Sequence, residues 1–185
     1  LDAAAGSERF FRGLFRGKVV PEADHPESIL YFFLTAARNA SPRWFMEGSA
    51  VFFDTWMAGG IGRAQGSYDE MVFRAMVKDK SHFYDPLGLV AEGTRVDFQV
   101  GANAYLYGTR FITWLGLQYS PEKVAEWIGR RPGSKAYYAA NFKHVFGKSL
   151  GAVWQDWITW EKGFQQSNLD AIRKLLSYHN GLILI

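Results

Sequence analysis

The sequence predicts a mainly α, multi-helix globular domain, and three observations carry that prediction. Gly, Pro and Asn signals divide most of the chain into helix-length segments. One of these, at about 98–118, is apolar nearly all round, as a central helix must be. No stretch of alternating apolar and polar residues reaches strand length.

Residues 6–20 place Phe10, Phe11, Leu14 and Phe15 on one helical face among Arg9, Arg12 and Arg16, which describes an amphipathic packing helix. Between 21 and 43, Pro21, Pro26 and Pro42 surround a short apolar run from Ile29 to Leu34, giving loop, short helix and loop. A stronger helix follows from about Pro42 to Met57. Pro42 suits its first turn, and Gly59-Gly60 stops it. The next spans 67–79, with Ser67 as N-cap and Asp69 and Glu70 in the first turn, where carboxylates oppose the helix dipole. A turn is expected at Asp85-Pro86-Leu87-Gly88. After the central helix, Ser120-Pro121-Glu122 opens a helix over 121–130. Two more cover 134–146, stopped by Gly147, and 149–165, opened by Ser149. A last helix covers 168–178, and Gly181 to Ile185 leans towards strand.

Composition narrows the function. With 48% apolar residues the chain can bury a sizeable core. Aromatics make up 17%, enough to fill that core or to line a cleft for a peptide or glycan, and core packing is the expected role of most. The net charge of +3 comes from basic residues scattered among acidic ones, so no nucleic-acid partner is expected. The absence of cysteine excludes disulfides and thiolate metal sites. No apolar run reaches the ~18–20 residues of a transmembrane span.

The informative segment is Trp44-Phe45-Met46-Glu47-Gly48-Ser49-Ala50-Val51-Phe52-Phe53-Asp54. A lone Glu sits there among large apolar residues on a helix, and an ionised carboxylate is rarely buried without a partner. Gly48 and Ala50 beside it are small enough for another helix to come close. That suits a metal ligand whose co-ligands lie on a neighbouring helix. Asp54, seven residues on, projects from the same face two turns away.

Trp-Phe-Met-Glu-Gly-Ser-Ala resembles the W-x-x-E-G-x-A signature of gluzincin zinc metallopeptidases. The order of later segments is similar to the helical half of bacterial peptidase-MA-like proteins. These are Ala104-Tyr105-Leu106-Tyr107-Gly108-Thr109-Arg110-Phe111, then Val145-Phe146-Gly147-Lys148-Ser149-Leu150, then Trp154-Gln155-Asp156-Trp157. The resemblance covers roughly residues 1–165. It implies a metallopeptidase C-terminal helical subdomain: lead-in helices and loops at 1–41, a metallopeptidase-like core at 42–165 and a tail at 166–185. It further implies Glu47 as third zinc ligand and Tyr105 as a donor to the oxyanion. Asp54 would support the site, although a capping or surface ion-pair role suits it better. The implied substrate is a peptide or protein, and the implied location is periplasmic or secreted.

The two-histidine HExxH motif of that family is missing. His25, His82, His144 and His179 include no pair four residues apart, and a catalytic zinc takes three protein ligands plus a water. The expectation is therefore a fragment of a zinc-dependent peptidase, with HExxH upstream of Leu1 in the same protein. Alone it would be inactive and hold no zinc, and its groove beside Glu47 would be open to self-association or a nearby arginine (Arg43, Arg63 or Arg110). The alternative is a pseudoenzyme, a non-catalytic helical module binding a peptide or glycan. Other signals are weaker. Gly59 to Gly66 lacks the Gly-Lys-Ser/Thr of a phosphate loop and reads as a helix connection that could rim a cleft. Glu92 and Asp97 as a glycosidase pair have no fixed geometry, and His82 and His144 read as surface or capping residues.

Overall fold

The computed structural model describes residues 23–28, 41–91, 100–129, 134–135 and 137–182. Among these there is no strand, so the expected mainly α fold is the observed one. Beyond a helical turn at 26–28, the α-helices are α1 (Arg43–Met57), α2 (Ser67–Lys78), α3 (Pro86–Ala91), α4 (Val100–Gln118), α5 (Pro121–Ile128), α6 (Tyr138–Phe146) and α7 (Leu150–Leu182). A 3-10 turn, Arg63–Gln65, joins α1 to α2. The expected helix at 6–20, the apolar run 29–34, the Glu92/Asp97 pair and residues 183–185 lie outside the described residues, as does the His179 side chain.

The helix boundaries follow local chemistry. Pro42 takes the N-cap position of α1, and its carbonyl accepts from the Phe45 and Met46 amides. Gly59 and Gly60 then adopt φ of 69° and 90°, a left-handed conformation that side-chain-bearing residues resist. The Ser120 hydroxyl caps α5 by accepting from the Lys123 amide at 3.2 Å, and Ser149 caps α7 through the Ala152 amide at 3.3 Å. Gly147 ends α6 with a φ of 75°.

Several boundaries differ from expectation, among them the helix expected over 134–146, which starts at Tyr138. The 85–88 turn is the start of α3: the Asp85 carboxylate accepts from the Gly88 amide at 2.6 Å with Pro86 in the first helical position. Helix α2 takes Gly66 as its N-cap, with Ser67 already inside the helix. The two expected C-terminal helices are one, α7, of 33 residues. Ser167, which reads as a breaker, instead donates to the Gly163 carbonyl at 3.0 Å, and the Asn168 amide donates to the Gln165 side chain at 3.3 Å. Gly181 and Leu182 belong to this helix, not to a strand.

Helix α4 is the axle of the fold. It contacts α1 along its length and also touches α3, α5 and α7. Its Tyr107, Phe111, Ile112 and Leu115 are fully enclosed in a core that also holds Trp44 from α1, Phe73 from α2, and Trp154 and Trp157 from α7. Trp44 and Trp154 meet edge to face at 4.9 Å. Five of the seven tryptophans (44, 114, 127, 154 and 157) are buried, so aromatic content mainly fills the core. At the α5/α6 corner the buried Asn141 donates to the Trp127 carbonyl at 2.8 Å and accepts from the Lys135 amide at 2.9 Å.

Helices α1 and α4 run parallel and touch backbone to backbone. A Cβ at Gly48 would fall on the Gly108 backbone, and one at Gly108 on the Trp44 carbonyl. Farther along, Phe52 lies against Gly116. The small residue beside Glu47 therefore serves a helix of this chain. The expected groove over Gly48 and Ala50 is not formed: Gly48 is buried under Gly108, and Ala50 is exposed. No helix among the described residues is long and apolar enough to cross a membrane.

Candidate functional site

The α1/α4 contact sets the register of the side chains along its seam. Glu47 precedes Gly48, and Tyr105 stands one turn before Gly108, so the two come together. One turn earlier, Arg43 lies against Gly101 and its Nε approaches the Glu47 carboxylate at 3.4 Å. Glu47 is half-buried, with 26% of its side chain exposed. Of the three candidate arginines, Arg43 is the one that contacts it; Arg63 and Arg110 pair with other acids.

The connection after α1 supplies the next component. The Thr55 carbonyl accepts from the Gly60 amide at 2.9 Å, and the Thr55 hydroxyl from the Ala64 amide at 3.2 Å. Gly62 lies so close to Thr55 that a side chain there would meet its hydroxyl. The loop thus fixed carries Arg63 over the Tyr105 ring, 5.5 Å from its centroid. Arg63 Nε and Nη2 donate to the Asp69 carboxylate at 3.1 and 2.9 Å, a two-pronged bond to an acid that is 1% exposed. This pair holds the Arg63 guanidinium above its ordinary range, its bond to Asp69 outweighing the opposing effect of burial.

The Tyr105 phenol is pushed up as well. Its hydroxyl interacts with the Glu47 carboxylate, burial adds to the effect, and the Glu47 charge further opposes ionisation. Arg43 and Arg63 act in the opposite direction and are outweighed. Tyr105 consequently keeps its proton, and can donate it in a hydrogen bond, to higher pH than a free tyrosine.

Asp54, by contrast, is exposed, and no side-chain hydrogen bond or ion pair holds it among the described residues. His25, His82 and His144 are exposed too. His25 pairs with Glu27 at 2.8 Å, and His82 lies edge-on to Tyr84. Among the described residues no three His, Cys, Asp or Glu side chains converge as a metal site. Gly60, Ala64 and Gln65 line a small cleft of about 120 Å³ with Phe52, Trp56 and Thr113, which includes neither Glu47 nor Tyr105 and so is not the expected site cleft.

Sequence reasoning singled out Glu47 and Tyr105 but passed over Asp69 and Arg63 as a pair. Their six-residue separation spans a loop and a helix start, for which no periodicity rule exists. The one available signal was an acid in the first turn of α2 following a basic residue in a Gly-rich connection. Compared with known proteins, the chain matches no family model, no curated protein and no solved structure.

Proposed function

We propose that this chain is the helical part of a zinc-dependent peptidase, contributing Glu47 as third zinc ligand and Tyr105 as oxyanion donor. One observation supports the reading above others: among the described residues the half-buried Glu47 carboxylate meets the Tyr105 hydroxyl and, at 3.4 Å, Arg43, with no two-pronged arginine bond. Among the described residues the buried acids, Asp69 and Glu161, are each fastened by two short bonds from an arginine. Glu47 lacks such a clamp, as a residue that must receive a further partner would.

Glu47 fits a ligand role by charge and exposure, and the remaining two ligands would come from an HExxH segment upstream in the same protein. When bound, zinc supplies a water of lowered pKa and polarises the peptide carbonyl. Glu47 would hold the ion, with Arg43 swinging off its carboxylate. Tyr105, fixed under Arg63, would direct its hydroxyl at the charge developing on the carbonyl oxygen. The peptide substrate would lie along the α1/α4 seam. Supplied without that upstream segment, the chain would cleave nothing.

Zinc content after dialysis, measured on a polypeptide that includes the upstream segment, tests the proposal. Glu47→Gln is expected to lower it well below the wild type, because one of three ligands loses its charge. Equal content in both removes Glu47 from the site and favours a binding module in place of an enzyme.

A further inference from the structure

Two arginines flank the Glu47–Tyr105 pair. Arg63 uses Nε and Nη2 on Asp69, and its Nη1 has no partner among the described residues. Asp69 lies beneath it and is 1% exposed, whereas the Arg63 side chain is 40% exposed. The guanidinium therefore stands between its own counter-ion and the solvent, presenting donors outward. Arg43 is 57% exposed and engages Glu47 through Nε alone, while its Nη1 and Nη2 lie beside Gly101 with no partner among the described residues. At the surface of the seam the cations are more exposed than the acids.

Arg63 is not free to wander, whereas Arg43 is held by a single 3.4 Å contact. Asp69 orients the Arg63 fork, Tyr105 supports its flat face, and the Thr55 bonds fix its backbone. Arg43 passes beside Gly101, where a Cβ would meet both terminal nitrogens at 3.7 Å, an ordinary contact distance. An arginine already oriented by one carboxylate loses little freedom when it binds a second, and planar guanidinium is matched to that group.

We infer that Arg63, assisted by Arg43, forms a carboxylate-binding subsite beside Glu47 and Tyr105, and that the peptide recognised along this seam carries a carboxylate. This rests on the proposed peptide-cleaving role for its placement in a substrate path, but the binding itself needs no metal. The carboxylate could be the C-terminal group of the peptide or an Asp or Glu side chain. The chemistry recognised is the same.

The test uses this chain in dilute buffer, where ion pairing is least screened. Three probes are titrated at millimolar concentration: acetyl-Ala-Ala-Ala with a free C-terminus, its C-terminal amide, and acetyl-Ala-Asp-Ala amide. Binding is followed by the NMR signals of the arginine Nε–H groups. The free acid is expected to move the Arg63 and Arg43 signals and to bind about tenfold more tightly than the neutral amide. The Asp-containing amide decides the source: binding like the free acid means that any carboxylate serves, and binding like the neutral amide means that the C-terminal group is read. Arg63→Gln should remove most of the preference. Because it leaves Asp69 without its partner, Arg43→Gln provides a second reading with the Arg63–Asp69 pair intact, and an about threefold loss is expected. Equal binding of acid and neutral amide, no binding of either carboxylate probe, or a preference that survives both substitutions overturns the inference. The two readings fail separately: the zinc proposal is decided by metal content of the longer protein, and the carboxylate preference is read on this chain with no metal added.

Discussion

Two arginine–carboxylate arrangements in this fold sit less than two turns apart on α4 and are built in opposite ways. At Arg110 the main bonds are short and buried, although its buried Nε has no acceptor among the described residues and Glu70 is 33% exposed. Its Nη2 donates to both oxygens of Glu161 at 2.8 and 2.9 Å, its Nη1 reaches Glu70 at 3.2 Å, and the Gln165 amide adds a bond to Glu161 at 2.7 Å. Glu161 and Gln165 are completely enclosed, and the cluster ties α2, α4 and α7 together. At Tyr105 the carboxylate of Glu47 is half-exposed, its arginine contact is long, and the neighbouring guanidinium groups keep donors to spare. Burial raises both the strength of an ion pair and the cost of leaving half of one behind. The first arrangement is thus suited to holding helices together, and the second can exchange partners without endangering the fold.

Substitutions can break that contrast, and the largest effect is expected where the two arrangements share a support. Gly108 lies between Tyr105 and Arg110, and its Cα faces backbone that cannot rotate away. Gly108→Val should destabilise by more than about 4 kcal/mol in urea unfolding, or prevent folding. Glu161→Ala comes next, at about 3–5 kcal/mol, because Arg110 would remain buried without its main acceptor. If Arg110→Met combined with Glu161→Leu recovers most of that loss, the cost lies in the unpaired charge and not in the shape of the cluster. Asp69→Asn should cost about 1–3 kcal/mol, as it weakens a two-pronged bond whose arginine can still reach water.

The smallest change in stability is expected at Glu47→Gln, within about 0.5 kcal/mol, since the exposed contact to Arg43 contributes little. Its signature is spectroscopic. The carboxylate that holds the Tyr105 phenol up is gone, so an ultraviolet pH titration should show this tyrosine ionising at lower pH than in the wild type. The sign for stability follows. A phenol raised in the folded state supports folding fully below the ordinary tyrosine pKa, and that support is lost as pH rises through the folded value. The variant should lose this alkaline sensitivity. An unchanged Tyr105 titration would mean that the two groups are not coupled and that the open arrangement has been misread.

Much of the fold was legible because its boundaries are chemical. Gly59-Gly60, Ser120-Pro121, Gly147 and Ser149 each act where the sequence places them. The continuous α7 was not legible, since Ser167 and Asn168 satisfy their polar groups within the helix and so fail to end it. Helix α3 was hidden by an Asp-Pro pair that serves turns and helix starts equally well. At the site, Glu47 stood out by being a carboxylate among aromatics, and Tyr105 by its place in the resemblance. Gly48 was recognised as permitting close approach, but sequence does not say which helix approaches, and the answer was α4 of the same chain. The Arg63–Asp69 pair depends on a loop path that only coordinates reveal.

The Gly48–Gly108 contact also decides how the seam can move. Two rods touching backbone to backbone cannot approach further, and the aromatic packing around them resists separation, so the easy relative motion is rotation about the point of touch. Glu47 and Tyr105 lie close to that fulcrum, within one residue and one turn of it, and a small scissoring would scarcely change their spacing. Arg43 and Gly101 lie farther out on the same arms, where the same angle opens or narrows the gap. The geometry thus acts like a pair of pliers gripped near the joint: the innermost pair stays in register while the outer end adjusts its width to what enters.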